Sequence, residues 1–599
     1  MPDAHFEIVP AIGIARVGNA PESFYIGPEQ AGALPVFPDD ETRPFGAGDF
    51  RDAEGRLKRQ AARFRILRYE AGKAPEEITL GHPDIAEIRW RVHLANKKAA
   101  WHCFQCLKGQ AGYAPNHPFR NPKIEGNAAR RALIIDAGPR SIAGRNAGRS
   151  EPVEFSRGTI PSSYRGGSFP PAALHPQAID TLGALQTDQQ GRLLVLGGFG
   201  HSGTLDDPPR LAEYANNDGW WDDTSDGSVR AELVLKNGET IAAKAASVIV
   251  APPAYAPQIC NLVTLYDTMF DTAARHLGLR PDIYANGSWR SGADGYRPNF
   301  DRDVKPIFER TSGYAWVSPI PRGPHRFDYA KLADPGPSGR EDRQFFLSIM
   351  RGPGEQNIAE SHVPGVSMMP LLIGDDAIGA EEESGALKTT SRYLALTDTQ
   401  YFFLQQWAAG HFDTNTLAEP DSGLAITKGV LENCVGGAFS PGIETGWIAR
   451  DPQIFAEPFR IKQRPVTDEG LSPVHDAASG LEPGDLTGRM ALPWQADFNE
   501  CAAQNILGRA MWWWPAQRPI TVFLPAPAGK GKAKPAGQRV PWIGTDGDHD
   551  ARKNFVFPSH VEMVENWDKL GFVLDQGEAG APKFVEVART LPRSKPEVT

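Results

Sequence analysis

Cysteine is scarce, with five in 599 residues: Cys103, Cys106, Cys260, Cys434 and Cys501. An odd, sparse set excludes a disulfide framework. No apolar run approaches the ~20 residues that span a bilayer. Positive charge is not in excess. Lysine and arginine total 63 against 73 aspartates and glutamates, a net charge of −10. That balance excludes a general nucleic-acid binder and a binder of anionic membranes. The start, MPDAHFEIVP, has no basic stretch followed by an apolar one, so no standard signal peptide is read there. The expected location is cytoplasmic, or exported without such a signal. The common catalytic signatures GxSxG, GxxxxGK[ST] and HExxH are missing too.

Three motifs approach known chemistry and fall short. Gly198-x-Gly200-x-x-Gly203 follows an apolar strand, as a dinucleotide fingerprint does, but Asp206-Asp-Pro-Pro209 follows where a helix is needed. It reads as a glycine-rich turn. Cys103-x-x-Cys106 has zinc spacing but lacks a second pair, so two buried free thiols are expected. Asp222-Asp-Thr-Ser-Asp226-Gly227 begins like a calcium loop. Its twelfth position is Leu233 instead of the bidentate glutamate, so a turn is expected.

Glycine (61) and proline (52) are plentiful, which favours loops and turns over long helices. Residues 192–196 form a short apolar run. Asn237-Gly238 between 231–235 and 240–250 is a hairpin signal, because both residues tolerate positive φ. Helical spacing appears over Ile259 to Leu279, with Gly278 near its end. Thr397-x-x-Gln400 and Ser559-x-x-Glu562 are capping boxes, and Gly571 fits the position after a helix end at Leu570. The reading is α+β: a largely antiparallel β N-terminal portion (1–255) and a mixed, helix-richer C-terminal portion (256–599). Residues 525–537, basic and of low complexity, read as an exposed loop.

One stretch carries candidate chemistry. Asp497 and Cys501 are four apart, followed by the apolar pairs Ala502-Ala503, Ile506-Leu507 and Ala510-Met511. That spacing predicts one helix with Asp497 and Cys501 on one face. Trp512-Trp-Trp514 follows, and the capped helix from about His560 to Leu570 carries Val561, Val564 and Trp567 on one side. Each residue also has a structural reading: Asp497 as an N-cap with Glu500 as its box partner, Cys501 as an inert thiol, Trp567 as core.

The chain resembles the cysteine tryptophylquinone-dependent amino-acid oxidases, the family of the quinoprotein lysine and glycine oxidases. The resemblance runs over nearly the whole length. It is carried by Ile12 to Asn19, Phe24 to Pro28, Val92 to Trp101, Asn216 to Trp220, Val250 to Pro253, Asn433 to Gly437 and Asp497 to Cys501. It implies a cofactor built from the chain's own Cys501 and Trp567, which lies 66 residues beyond the cysteine. Trp512, Trp513 and Trp514 lie too close to match. The resemblance further implies site roles for Asp497 and for Cys434, and likeness to an active-site segment at His411. It implies maturation by a separate flavoprotein modifying enzyme and self-association into a homo-oligomer.

The residue types suit that chemistry. An ortho-quinone on the indole offers a carbonyl that forms a Schiff base with a primary amine. A base then takes a proton from the carbon bearing nitrogen, and Asp497 is the candidate. Hydrolysis releases the oxidised carbon, and O2 reoxidises the cofactor, giving NH3 and H2O2. An N-cap carboxylate has its pKa lowered by the helix end, which opposes a role as base. A role for Asp497 in cofactor formation is the alternative. An inactive or binding-only member of the fold is the rival reading of the whole chain, and no metal is expected.

Overall fold

The computed structural model describes residues 4–104, 116–317, 325–353, 366–372, 393–417, 421–437, 445–446, 448–500, 503–506, 509–512, 518–525, 539–542, 556–578 and 581–592. Cys106, Cys501, Trp513, Trp514 and nearly all of the 525–537 segment lie outside them.

The N-terminal portion is built on one large, mostly antiparallel sheet. Its strands include β1 (Ala4–Val9), β2 (Ile12–Arg16), β3 (Arg59–Glu70), β4 (Ile85–Asn96), β5 (Thr181–Thr187), β6 (Leu193–Gly197), β7 (Trp220–Asp222), β8 (Ser225–Leu235) and β9 (Ala246–Ala251). All but β7 belong to this sheet, in the order β4-β8-β9-β2-β3-β6-β5, with β1 pairing to β3. Two-residue alternation sets the register of β4 against β8. Val92 faces Val229, Trp90 faces Ala231 and Ile88 faces Leu233, all buried, while Arg91 and Arg230 pair on the opposite face. The central strands β2, β6 and β9 are instead buried along their whole length, as strands covered on both faces are.

Strand direction locates the site. β9 pairs with β2 in parallel, β2 with β3 and β3 with β6 antiparallel. β2, β6 and β9 therefore end at the same edge, at Arg16, Gly197 and Ala251. Gly18 N–H donates to the Gly198 carbonyl at 3.4 Å, and Val17 N–H to that of Ala251 at 3.0 Å, tying the three ends together.

Helices gather after residue 260: α1 (Leu265–His276), α2 (Asp398–Ala408), α3 (Ser422–Glu432), α4 (Trp494–Glu500) and α5 (His560–Asn566). The α+β reading holds. The capping box at Thr397 is present and opens α2, and Ser559 caps α5 by accepting from the Glu562 N–H at 3.1 Å. Asn237-Gly238 lies in the β8 hairpin, with Gly238 at φ +89°.

Five local expectations are corrected. α1 begins at Leu265 and not at 259, because Thr264 and Asp267 form a capping box there. α4 stops at Glu500. Residues 503–506 and 509–512 pair as antiparallel strands, where the sequence reading had continued the helix. α5 ends at Asn566 and continues as a single 3₁₀ turn over Trp567–Lys569. Gly571 does not close it: a Cβ there would meet the Glu586 side chain at 2.4 Å, so close packing requires the glycine. The turn expected over 222–227 is absent: Asp222 ends β7, Ser225 begins β8, only residues 223–224 lie between them, and Asp222, Asp223 and Asp226 are all buried.

Candidate active site

Trp567 is the centre of the candidate site. It is 2% exposed. Its indole packs against that of Trp494 with ring centroids 5.6 Å apart and planes at 70°. Trp494 opens α4, one helical turn before Asp497, so the two share a face. α4 and α5 pack directly on each other. Asn499 joins them by donating to the Phe557 carbonyl at 3.1 Å and accepting from the Phe557 N–H at 2.7 Å. His560 Nε2 lies 3.4 Å from Glu500 Oε2. The last residue of α4 is thus fixed to the first residue of α5, and Cys501 follows immediately in sequence.

Asp497 lies inside α4, 1% exposed, and not at its N-cap. The carboxylate at the start of this helix comes from elsewhere. Asp222 Oδ2 accepts from the Trp494 N–H at 3.1 Å and from Lys98 Nζ at 2.8 Å. Lys98 also donates to the Ala491 carbonyl at 3.0 Å, and burial holds its pKa below the ordinary value. A buried ion pair therefore anchors the start of α4 to the N-terminal sheet.

The Cζ2–Cη2 edge of the indole meets the glycine-rich segment. A Cβ at Gly200 would stand 2.0 Å from Trp567 Cζ2 and 2.6 Å from Cη2, and Gly200 has φ +77°. The Gly200 carbonyl accepts from Gln495 Nε2 at 3.0 Å, and Ser202 Oγ bonds Gln495 Oε1 at 2.7 Å. Residues 198–201 connect β6 to a short strand (Ser202–Thr204) without the expected turn, and no helix follows. Sequence reasoning rejected a dinucleotide site here and missed the segment's place beside Trp567. Tyr255 was also missed. Its hydroxyl donates to the Trp567 carbonyl at 2.5 Å. Asn19 Nδ2 donates to Asp568 Oδ2 at 2.8 Å. Segments that carry the family resemblance thus converge on Trp567 through Asn19 and Lys98.

Cys434 follows α3 and is buried, with Arg16 Nη2 3.9 Å from its sulfur. Burial pushes its thiol pKa up, against the pull of Arg16, so it is a thiol and not a thiolate. It lines a cavity of about 40 Å³ with Arg16, Tyr25, Ala254 and Ala256. The last two flank Tyr255. His411 follows α2, which packs on α1. Its N–H donates to the Gln406 carbonyl at 2.9 Å, and its Nδ1 is buried without a partner among the described residues. Nothing in these contacts joins His411 to Trp567. Cys103, half-buried, and Cys260 are free thiols. Among the described residues no cluster of His, Cys, Asp and Glu fits a metal ion, and no helix is long and apolar enough to cross a membrane.

The comparisons agree along the chain. Residues 9–250 match the family model described as L-lysine epsilon oxidase N-terminal, and residues 370–515 that of the L-lysine epsilon oxidase C-terminal domain. The chain is 33% identical to the L-lysine 6-oxidase of Marinomonas mediterranea over 663 aligned positions, covering 97% of this chain and 89% of that protein. The crystal structure of the L-Lys ε-oxidase from that organism superposes with a TM-score of 0.84 at 30% identity, covering 98% of this chain and 95% of that one. The structure of its Schiff base intermediate with L-Lys gives 0.85, with the same identity and coverage. With fold, sequence and both family models in agreement, the chain belongs to the L-lysine ε-oxidase family and is an amino-acid oxidase, an oxidoreductase.

Proposed function

We propose that the chain oxidises a primary amine of an amino acid with O2, on a cysteine tryptophylquinone formed from Cys501 and Trp567. The observation that carries this reading is the seat of Trp567. It packs on α4, the helix that ends one residue before Cys501, and its free edge rests on Gly200, where no side chain fits. The quinone supplies an electrophilic carbonyl and takes up two electrons.

The chain's own residues do the rest. Trp494, Gly200 and the Tyr255 hydroxyl hold the indole in one orientation. Asp497, buried on the Trp494 face of α4, takes the proton from the substrate carbon that bears nitrogen. Asp497 lies in the first turn of α4 and not at its N-cap, and its burial opposes the pull of the helix end on its proton. Cys434, a neutral thiol by the shared sheet edge, and His411, with its unpartnered Nδ1, complete the proposed set. In the balanced reaction amine, O2 and water become carbonyl compound, NH3 and H2O2. L-Lysine is the first substrate to test, because it is the one named for the relative. A flavoprotein modifying enzyme matures the cofactor, and the chain self-associates.

The test is peptide mass spectrometry on protein made together with that flavoprotein. A Cys501–Trp567 cross-linked peptide with two oxygens gained and four hydrogens lost supports the reading, followed by peroxide release with L-lysine or glycine. Separate, unmodified peptides would favour an inactive member of the fold. Asp497→Ala should leave a folded protein without normal turnover.

A further inference from the structure

Behind the glycine-rich segment lies a carboxyl that the proposed reaction does not use. Asp223 sits between β7 and β8 and is 1% exposed. Among the described residues neither of its oxygens makes a hydrogen bond of ordinary geometry and no cation is paired with it; the backbone N–H groups of Phe199 and His201 face the carboxyl and favour its charged form, less strongly than burial opposes it. The charged groups around it are Asp222 and His201, with Arg59 and Lys98 farther off. None neutralises it. Asp222 and Lys98 pair with each other. Arg59 donates to the carbonyls of Gly197 at 3.3 Å and Pro21 at 2.5 Å, above the Phe199 ring. His201 is turned to the Ala178 carbonyl, 2.8 Å from its Nδ1.

The 198–201 segment is gripped from both faces. A Cβ at Gly198 would lie 2.6 Å from Asp223 Cγ and Oδ2, and a Cβ at Gly200 would lie 2.0 Å from Trp567 Cζ2. Asp223 N–H donates to the His201 carbonyl at 3.1 Å, so the acid and the segment are fixed to each other. Burial pushes the Asp223 carboxyl up to about 6. A buried charge without a partner is relieved by taking up a proton or by reaching water. Because this carboxyl packs against Gly198 with no room for a side chain between them, a movement that hydrates it displaces the 198–201 segment.

We propose that Asp223 is a positioning residue for the oxidase: as a neutral acid it lets the 198–201 segment seat on the indole edge of Trp567, and its ionisation drives the segment off that edge. The consequence for turnover rests on reading Trp567 as the cofactor tryptophan, whereas the coupling of acid to segment does not. The sign follows from linkage. The seated state holds the proton more tightly than a hydrated carboxyl does, so rising pH favours the unseated state.

Hydrogen exchange of the peptide containing residues 197–203, corrected for intrinsic rate, tests this between about pH 5 and pH 8. Protection in the parent protein should fall roughly fivefold or more as pH rises, and should stay level in Asp223→Asn. His201→Gln removes the neighbouring imidazole and should keep the fall. Level protection in the parent protein, or a fall that survives in Asp223→Asn, overturns the proposal. On protein whose cross-link is verified by mass, turnover should decline at alkaline pH in the parent and not in Asp223→Asn. Absence of the cross-link would defeat the reading of Trp567, while the exchange result would still decide the role of Asp223.

Discussion

Gly200 and Trp567 meet edge to backbone, so closely that a methyl group at position 200 would stand 2.0 Å from Cζ2 of the indole. Gly200→Ala should therefore act on the candidate cofactor before it acts on the fold. Overpacking costs about 1–3 kcal/mol, and a left-handed alanine about 1–2 kcal/mol more. The expected result is a folded protein that loses the Cys501–Trp567 cross-link or its turnover. Cross-linked peptide and peroxide release at the parent level would show that the ring tolerates displacement.

The glycine-rich segment illustrates what the sequence disclosed and what it withheld. Gly198, Gly200 and Gly203 suggested a tight turn after a strand, and the structure has instead an irregular connection into a short strand, where the glycines serve close packing. That its far side is an indole from position 567 depends on packing across hundreds of residues, which local spacing does not encode. α5 was legible because Ser559 and Glu562 state its start chemically. α4 was read too long because alanine, isoleucine and leucine at helical spacing also suit short antiparallel strands. The buried acids at 222–226 were misread in a different way. Aspartates and a glycine suggested a turn, but the segment runs from one strand into the next, and Lys98 and the Trp494 N–H, neither nearby in sequence, draw Asp222 inward. The family resemblance named Asp497, Cys501 and Trp567. The supporting residues Tyr255, Gln495 and Asp223 emerged only from the fold.

Tyr255 offers a gentler perturbation of the same site. Its hydroxyl holds the Trp567 carbonyl from a fully buried position. Tyr255→Phe leaves that carbonyl short of a donor, a loss of about 1–3 kcal/mol. Urea denaturation should register this loss, with turnover reduced and not abolished, since no proton on the substrate passes through Tyr255. Unchanged stability would mean that the 3₁₀ turn at 567–569 supplies enough support alone.

Asp222 is predicted to be far less forgiving. Its carboxylate serves Lys98, the Trp494 N–H, Asn96 Nδ2 at 2.9 Å and Thr224 Oγ1 at 2.7 Å. Asp222→Ala strands a buried ammonium and uncaps α4, and breaking a buried pair costs about 3–5 kcal/mol. The double variant Asp222→Ala, Lys98→Met should recover part of that loss, because it removes the unpaired charge. Equal destabilisation of the single and double variants, measured by denaturant titration, would show that capping of α4 and not the ion pair dominates.

Asp226 gives a pH signature separate from the site. It is 1% exposed and accepts from the N–H groups of Gly484 at 2.9 Å and Thr487 at 2.7 Å and from Thr487 Oγ1 at 2.7 Å. Burial outweighs these bonds and pushes its carboxyl up to about 7. A carboxyl raised above its unfolded value is bound to a proton in the native state at pH values where the unfolded chain has released it. Its contribution to stability therefore falls as pH rises from about 4 to about 7, then levels off. Asp226→Asn removes that titration, whatever fixed offset the altered hydrogen bonds introduce. The stability of the variant relative to the parent should rise across this window by up to about 4 kcal/mol. Urea unfolding at both ends of the window reads the difference directly. A relative stability that does not change with pH would mean that Asp226 titrates near its ordinary value, with the Gly484 and Thr487 donors compensating fully for burial.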